Sequence, residues 1–590
     1  MNKTASSWLR HLPHAGIPVL LALVLSGRHL RVSLAGGLLD PDSYMRLVRL
    51  EASLSAGAPL HVVARDSSGS GTVLHWSHLL DGLLCLLALP LRPWMDWHQA
   101  LHVVGLAFGP ACLAALGLAL VWAIAPFSRP GWRWSAPVAA ALSPAIALYG
   151  LVGVVHHHVP VVIVAVLAAG IAARIVRGHT DTYLPVWLGV CAGLGLWLTP
   201  ESVPLSVLSF GALWVAWATA PPPSTLARSI TVTGASFFAV ALTAWLLDPP
   251  MAGYASAEID RISILSVALS LAIAVSGGAI LVIDRSTSRP LYRLTFSVLA
   301  GGFAAGVWAS WFPQLLPGSA PLMDAPTWHA FFDDIAEMRP IVSAPEIIQH
   351  LLTGGLAALL LLLVAIRARS PVLGYAALAA VMLVAVGQAH LRFAAYPEAV
   401  GAALLPIAIG YAHARWAREA SWAVSAPLAR VGVIAAFLLL PMIAGLSAAS
   451  RSAQAAPTAE PPRCSIAQVQ GILASLGGQT VLANVNHTPE LLYRTSVRTV
   501  GSLYHRNPDA FLRLRSAWRS GPSEELPAAV AATGASVLLY CEPPIRSALV
   551  ADLPTDTLLD RLGRGEVPHW LVPIATGHAN GPNLYWIVRR

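Results

Sequence analysis

Asp40 and Asp42 lie one residue apart in Gly36-Gly37-Leu38-Leu39-Asp40-Pro41-Asp42-Ser43-Tyr44-Met45-Arg46-Leu47-Val48-Arg49, directly after the first apolar segment. Carboxylates beside guanidinium groups suit a divalent cation and a phosphate. The run His156-His157-His158 adds nitrogen donors. In an extended turn residues i and i+2 point the same way, so His156 and His158 could serve one metal, or simply cap a helix end. Glu337 stands in Asp333-Asp334-Ile335-Ala336-Glu337-Met338-Arg339-Pro340. Arg392 stands in Gln388-Ala389-His390-Leu391-Arg392-Phe393, where it reads either as a phosphate grip or as a snorkelling side chain. Glu201 follows Thr199-Pro200 and reads first as the cap of the next helix. His75 belongs to His75-Trp76-Ser77-His78-Leu79-Leu80-Asp81.

The elements that position these residues are set by composition. Hydrophobic residues make up 56% of the 590 and charged residues 11%, with a mean hydropathy of +0.64. Soluble domains carry about a quarter charged residues, so a soluble globular class is excluded. The net charge of +8 comes without a basic run or aromatic-basic motif, and nothing points to nucleic acid. Cys85, Cys112 and Cys191 fall in apolar segments and read as packing residues. Cys464 and Cys541 fall in the polar C-terminal region, where an oxidising compartment would permit a disulfide between them. Lys3 and Arg10 precede an apolar run that reads as a retained first membrane helix rather than a cleaved leader.

A membrane span needs about 20 apolar residues. That rule predicts thirteen helices, near 15–33, 100–125, 134–153, 157–177, 183–199, 202–219, 228–248, 263–284, 294–312, 349–366, 371–388, 396–414 and 428–449. Arginines cluster in alternate loops (Arg129 and Arg133, Arg174 and Arg177, Arg228, Arg285, Arg289 and Arg293, Arg367 and Arg369, Arg415, Arg418 and Arg430). The positive-inside rule then puts the N-terminus inside and the C-terminus outside. Two long outer loops follow, 34–99 and 313–348, and the stretch 79–91 reads as an interfacial helix. The reading divides the chain into a transmembrane region (residues 1–449), a linker (450–463) and a soluble α/β domain (464–590). Within the last, 479–485 and 535–541 read as strands, 465–476 and 509–518 as helices. This topology sends Asp40 and Asp42, His156 and His158, Glu337 and Arg392 to one outer face.

Those residues carry a resemblance. Asp42-Ser43-Tyr44 with Arg49, His156-His157-His158, Asp334-Ile335-Ala336-Glu337 with Pro340, and Arg392-Phe393 resemble the loop motifs of oligosaccharyltransferase catalytic subunits. Those are membrane glycosyltransferases of the C-type fold, and the segment Asp40–Asp81 also resembles bacterial membrane proteins of unassigned acceptor. The resemblance implies a mainly α, polytopic fold of about thirteen helices with a small periplasmic α/β domain, in the bacterial cytoplasmic membrane. It implies transfer, with inversion, of a sugar or oligosaccharide from a polyprenyl phosphate or pyrophosphate carrier to a periplasmic acceptor. Mn²⁺ or Mg²⁺ would be held by Asp42, His156, His158 and Glu337, with Asp42 or Glu337 acting on the acceptor and Arg392 on the donor phosphate. Asp40, Tyr44, Arg49, His75 and Glu201 are secondary candidates. Two departures stand out: His156 occupies the place of an expected Asp, and the C-terminal region lacks the Trp-Trp-Asp motif that reads Asn-x-Ser/Thr acceptors. Tyr504-His505-Arg506-Asn507 is the polar aromatic cluster left for the acceptor side. A transferase using a polyprenyl-phosphate monosaccharide to decorate lipid or polysaccharide needs the same fold. A lipid-linked glycan transporter would call for mid-membrane polar residues and internal repeats.

Overall fold

The computed structural model describes residues 12–179, 181–313, 325–332, 335, 337–416, 431–444, 447, 465–541, 556–577 and 582–589. Among them, nine helices are long and apolar enough to cross a membrane: Trp97–Ile124, His158–Val176, Pro200–Thr219, Thr225–Leu247, Ile264–Ser286, Pro290–Trp311, Ala344–Ala368, Pro371–Ala389 and Leu391–Tyr411. Helices apolar all round belong in lipid or in a large core, because no face is left for water. The remaining expected spans are shorter. Leu184–Leu198 and Val431–Ala444 are short apolar helices, and the first helix, Leu12–Leu34, breaks at Gly27, whose φ of 41° suits glycine.

The third expected span, 134–153, is not continuous. It divides into Ser135–Leu142, Pro144–Ala147 and a turn at Leu148–Gly150. Ser143 is extended (ψ 118°), as the residue before a proline tends to be. The broken segment lies tight against Trp97–Ile124: a Cβ on Gly109 would come 2.3 Å from the carbonyl oxygen of Leu151. This close approach brings Tyr149 and the histidine run to the end of the helix bundle.

The opposite end is closed by arginines. Arg174 donates to the carbonyls of Trp122 and Ala123, Arg177 to Pro126, and Arg133 to Ala125. Cations at helix C-termini satisfy orphan carbonyls and complement the helix dipole.

After the first helix the chain turns into Pro41–Ala56. Its start is specified locally: Asp40 accepts from Ser43 N at 2.9 Å, Pro41 takes the first turn, and Asp42 adds a negative charge there. Arg46 and Arg49 from this helix both reach Asp81, at 3.1 and 2.6 Å, and Arg49 also donates to the carbonyl of Trp76. All three side chains are buried. They fasten the helix to the short helix Leu79–Ala88.

Strands β1 (Val62–Val63) and β2 (Thr72–Val73) form a small antiparallel pair in the same loop. The C-terminal region builds a five-stranded sheet from β3 (Thr480–Leu482), β4 (Arg498–Thr499), β5 (Val537–Tyr540), β6 (Leu571–Ile574) and β7 (Asn583–Ile587). Its order is β4-β3-β5-β7-β6, with β3 parallel to β4 and β5, and β7 antiparallel to β5 and β6. Helices Ile466–Ser475 and Pro508–Trp518 bury apolar faces against it. The sheet is bound to the loop that carries β1 and β2. Buried Asp66 accepts from Thr72, Thr499 and Ser502, and Arg65 donates to the carbonyls of Leu492, Thr495 and Val497. The 450–463 segment and Cys464 lie outside the described residues.

Candidate active site

The site is assembled at the end of the bundle where the broken segment meets the chain after the first helix. Asp40 does more than cap its helix: its Oδ1 lies 2.9 Å from His156 Nε2. Burial opposes a charge on His156, but the neighbouring carboxylates of Asp40, Asp42 and Glu337 outweigh it and raise its pKa to about 9. Asp40 is held below the usual carboxylate range, the cost of burial being outweighed by His156 and Ser43. The two form a charged pair at neutral pH.

Asp42 sits beside that pair with slack. Its Oδ1 accepts from the hydroxyl of Tyr504 at 2.8 Å, while its Oδ2 is 4.0 Å from His156 Nε2. The side chain keeps 41% of its surface open, although protein surrounds it on most sides. Burial pushes its pKa up, as do the Asp40 and Glu337 charges, and the pull of His156 in the other direction is too weak to offset them. Asp42 therefore holds a proton more readily than a solvated aspartate does. Tyr504 is itself wedged edge-on against Trp76, with ring centres 5.3 Å apart.

A continuous chain of contacts leads on to the other candidates. His156 Nδ1 faces His158 Nδ1 at 3.3 Å. The His158 ring stacks on Tyr149 at 4.1 Å, and Tyr149 donates to Glu337 Oε2 at 2.9 Å. Glu337 Oε1 lies 3.8 Å from Arg392, which donates to Glu201 Oε2 at 2.8 Å. The backbone N–H of Arg392 also donates to the carbonyl of Glu337. Asp40, Asp42, His156, His158, Glu337, Arg392 and Glu201 thus share one site. Tyr44 and Arg49 do not. The Tyr44 hydroxyl accepts from Leu38 N, and Arg49 is a fully buried strut on Asp81. Asp333, Asp334 and Ala336 lie outside the described residues.

Sequence reading missed Tyr149 entirely, and it named Tyr504 only within a cluster. Neither carries a motif; Tyr504 reaches Asp42 across 462 positions. His75 lies in a different cluster, against His505.

Four carboxylates here face two cations, a donor balance that favours adding a positive ion. Among the described residues, Asp42 Oδ2 and Glu337 Oε1 make no hydrogen bond, and His158 Nε2 is buried without a partner. By donor type the three suit Mn²⁺, which accepts imidazole as well as carboxylate, but among the described residues their atoms are not gathered into a metal-holding group, so loading an ion there requires side-chain movement. His156 does not fit as arranged, because its Nε2 is occupied by Asp40. Ligation through His158 would also require the His156–His158 pair to give up a proton.

No family model matches the sequence, and no curated protein does. Solved structures do match. The archaeal oligosaccharyltransferase AglB from Archaeoglobus fulgidus, in complex with an inhibitory peptide and a dolichol-phosphate, superposes with a TM-score of 0.67 at 13% identity, covering 91% of this chain and 70% of that one. This chain has the oligosaccharyltransferase fold. The apo form of the same Archaeoglobus enzyme gives 0.67 at 13% identity, over 95% of this chain and 73% of that one. Its complex with Zn and sulfate gives 0.63 at 12% identity, over 97% and 73%.

Proposed function

We propose that this chain is a membrane glycosyltransferase that moves a sugar or oligosaccharide from a polyprenyl phosphate or pyrophosphate carrier to an acceptor outside the cytoplasmic membrane. The observation that carries this is the joining of Asp42, His156, Glu337 and Arg392 at one end of the helices of an oligosaccharyltransferase fold. The relative in complex with dolichol-phosphate supports a lipid-linked donor. A lipid carrier also explains a phosphate-handling site at a membrane face.

In the proposed reaction Arg392 exchanges its contact with Glu201 for the donor phosphate, a charge-assisted bond that its fork geometry favours. His156, held positive by Asp40, adds a fixed charge near the leaving group. Asp42 takes the proton from the acceptor hydroxyl or amide as that group attacks the anomeric carbon. The bond from the anomeric carbon to the phosphate oxygen breaks, the phosphate leaves with the electron pair, and the configuration inverts. Mn²⁺ or Mg²⁺, held by Asp42, His158 and Glu337, would supply Lewis-acid neutralisation of the leaving phosphate. Residues 1–449 form the transferase region, 450–463 the linker and 464–590 the module on the outer, periplasmic side.

The test incubates purified protein with lipid-linked donors and Mn²⁺, comparing wild type with Asp42→Ala and Glu337→Ala. Transfer is expected to fall with both. Undiminished transfer by both variants would sink the site assignment.

A further inference from the structure

Among the described residues, one group of metal-ligating side chains already converges, and it is not the Asp42 group. His75 of the first outer loop, Asp260 of the 248–263 segment and His505 of the C-terminal region bring one donor atom each to within 4.8 Å of one another. We propose that His75, Asp260 and His505 form a second divalent-cation site, suited to Zn²⁺, that ties these three segments together. Donors around Zn²⁺ sit about 2.0–2.2 Å from the ion, so only small side-chain movements separate this arrangement from coordination. Two imidazoles and one carboxylate are a zinc-type set, whereas Mg²⁺ and Ca²⁺ prefer oxygen alone.

A second observation points the same way. His75 Nδ1 is buried and has no hydrogen-bond partner, a cost of about 1–3 kcal/mol unless something binds there. The carboxylate is already aimed: Arg506 Nε donates to Asp260 Oδ2 at 2.9 Å and its Nη2 reaches Oδ1. Loading the ion requires the 2.7 Å contact between His505 Nε2 and Asp260 Oδ2 to give way to metal bonds. Arg506 keeps its hold on the other oxygen, in the way carboxylate ligands are held by outer partners. His505 adjoins Tyr504, so an ion here would also stiffen the residue that contacts Asp42.

The experiment uses full-length protein in detergent, stripped with chelator and titrated with Co²⁺, whose visible absorption reports a low-coordinate site. Wild type and Asp42→Ala are expected to bind with the same affinity. His75→Gln and His505→Gln are expected to bind roughly tenfold or more weakly, while eluting as folded protein on size exclusion. Unchanged Co²⁺ affinity in both glutamine variants overturns the proposal. Loss of the signal in Asp42→Ala also overturns it, by assigning the ion to the other site. If the glutamine variants do not fold, pulsed EPR of Cu²⁺ bound to a His156→Ala, His158→Ala double variant decides. Two coordinated imidazoles support the site, and fewer overturn it.

Discussion

The helix Pro41–Ala56 feeds two charge clusters that behave in opposite ways. Arg46 and Arg49 meet Asp81 at 3.1 and 2.6 Å, with side-chain exposures of 4% or less. Asp42, one turn earlier, keeps 41% of its surface and stands 4.0 Å from His156. At the far side of the same site Glu337 and Arg392 are also 3.8 Å apart. The closed one is knit by direct ion pairs and serves the scaffold, although the Nε of Arg46 and of Arg49 makes no hydrogen bond. The slack one leaves carboxylate oxygens and an imidazole nitrogen unpaired, which is the condition a substrate or ion would relieve.

The sharpest way to break this contrast is to mutate one acid from each cluster. Asp42→Asn, as the proposed base, is expected to reduce transfer by about 10²–10⁴-fold with little change in melting temperature. Activity from lipid-linked donor and thermal unfolding in detergent measure both. An equal loss of stability would mean that Asp42 is scaffold too. Asp81→Ala should do the reverse, costing about 3–5 kcal/mol because it leaves two buried guanidinium groups without a counter-charge. The readout is loss of folded protein on heating. A variant as stable as wild type would contradict the reading of a closed, framework-holding triad.

The same contrast shows what could be seen in the sequence. Helix positions were legible because lipid demands long apolar runs. The break at Ser143–Pro144 was written in the proline, yet inside an apolar run it yields to the length rule. Asp42, Glu337 and Arg392 stand out by residue type, since charged residues make up only 11% of the chain, and His156 by the triplet it belongs to. Their partners were not legible. Asp40 and His156 are 116 positions apart, and Arg49 and Asp81 are 32. Type and spacing alone made Arg49 a neighbour of the site, whereas packing turned it inward onto Asp81 and the Trp76 carbonyl. The convergence of His75 with Asp260 and His505 was hidden for the same reason.

A middle-sized effect concerns pH. The His156 pKa is raised to about 9 in the folded protein, from an ordinary 6.5. A raised histidine contributes stability that is fully present below about pH 6.5 and is lost as pH climbs through about 9. The loss is expected to be on the order of 1–3 kcal/mol, allowing for the shared proton with His158. Unfolding in detergent from pH 6 to pH 10 measures it. Asp40→Asn should flatten the slope, because the carboxylate that holds the proton is gone. An equally steep slope in that variant would remove Asp40 as the cause and close some of the distance between the two clusters.

The smallest effect tests the slack itself. Tyr504→Phe removes one hydrogen bond to Asp42 and keeps the ring against Trp76. A bond to a charged acceptor contributes about 1.5–3 kcal/mol to its partner's ionised state, so Asp42 in the variant should take up its proton at higher pH. If Asp42 accepts the acceptor's proton, the acid limb of the rate profile moves upward by about 1 pH unit. Rates well above that limb should change little, because Asp42 is ionised there in both proteins. Stability should fall by only about 1–2 kcal/mol, the loss of that one bond, since the ring and its packing remain. A uniform loss of rate at every pH would assign Tyr504 to acceptor positioning instead. A variant that simply unfolds would place Tyr504 with Arg49 and Asp81, among the residues that hold the frame.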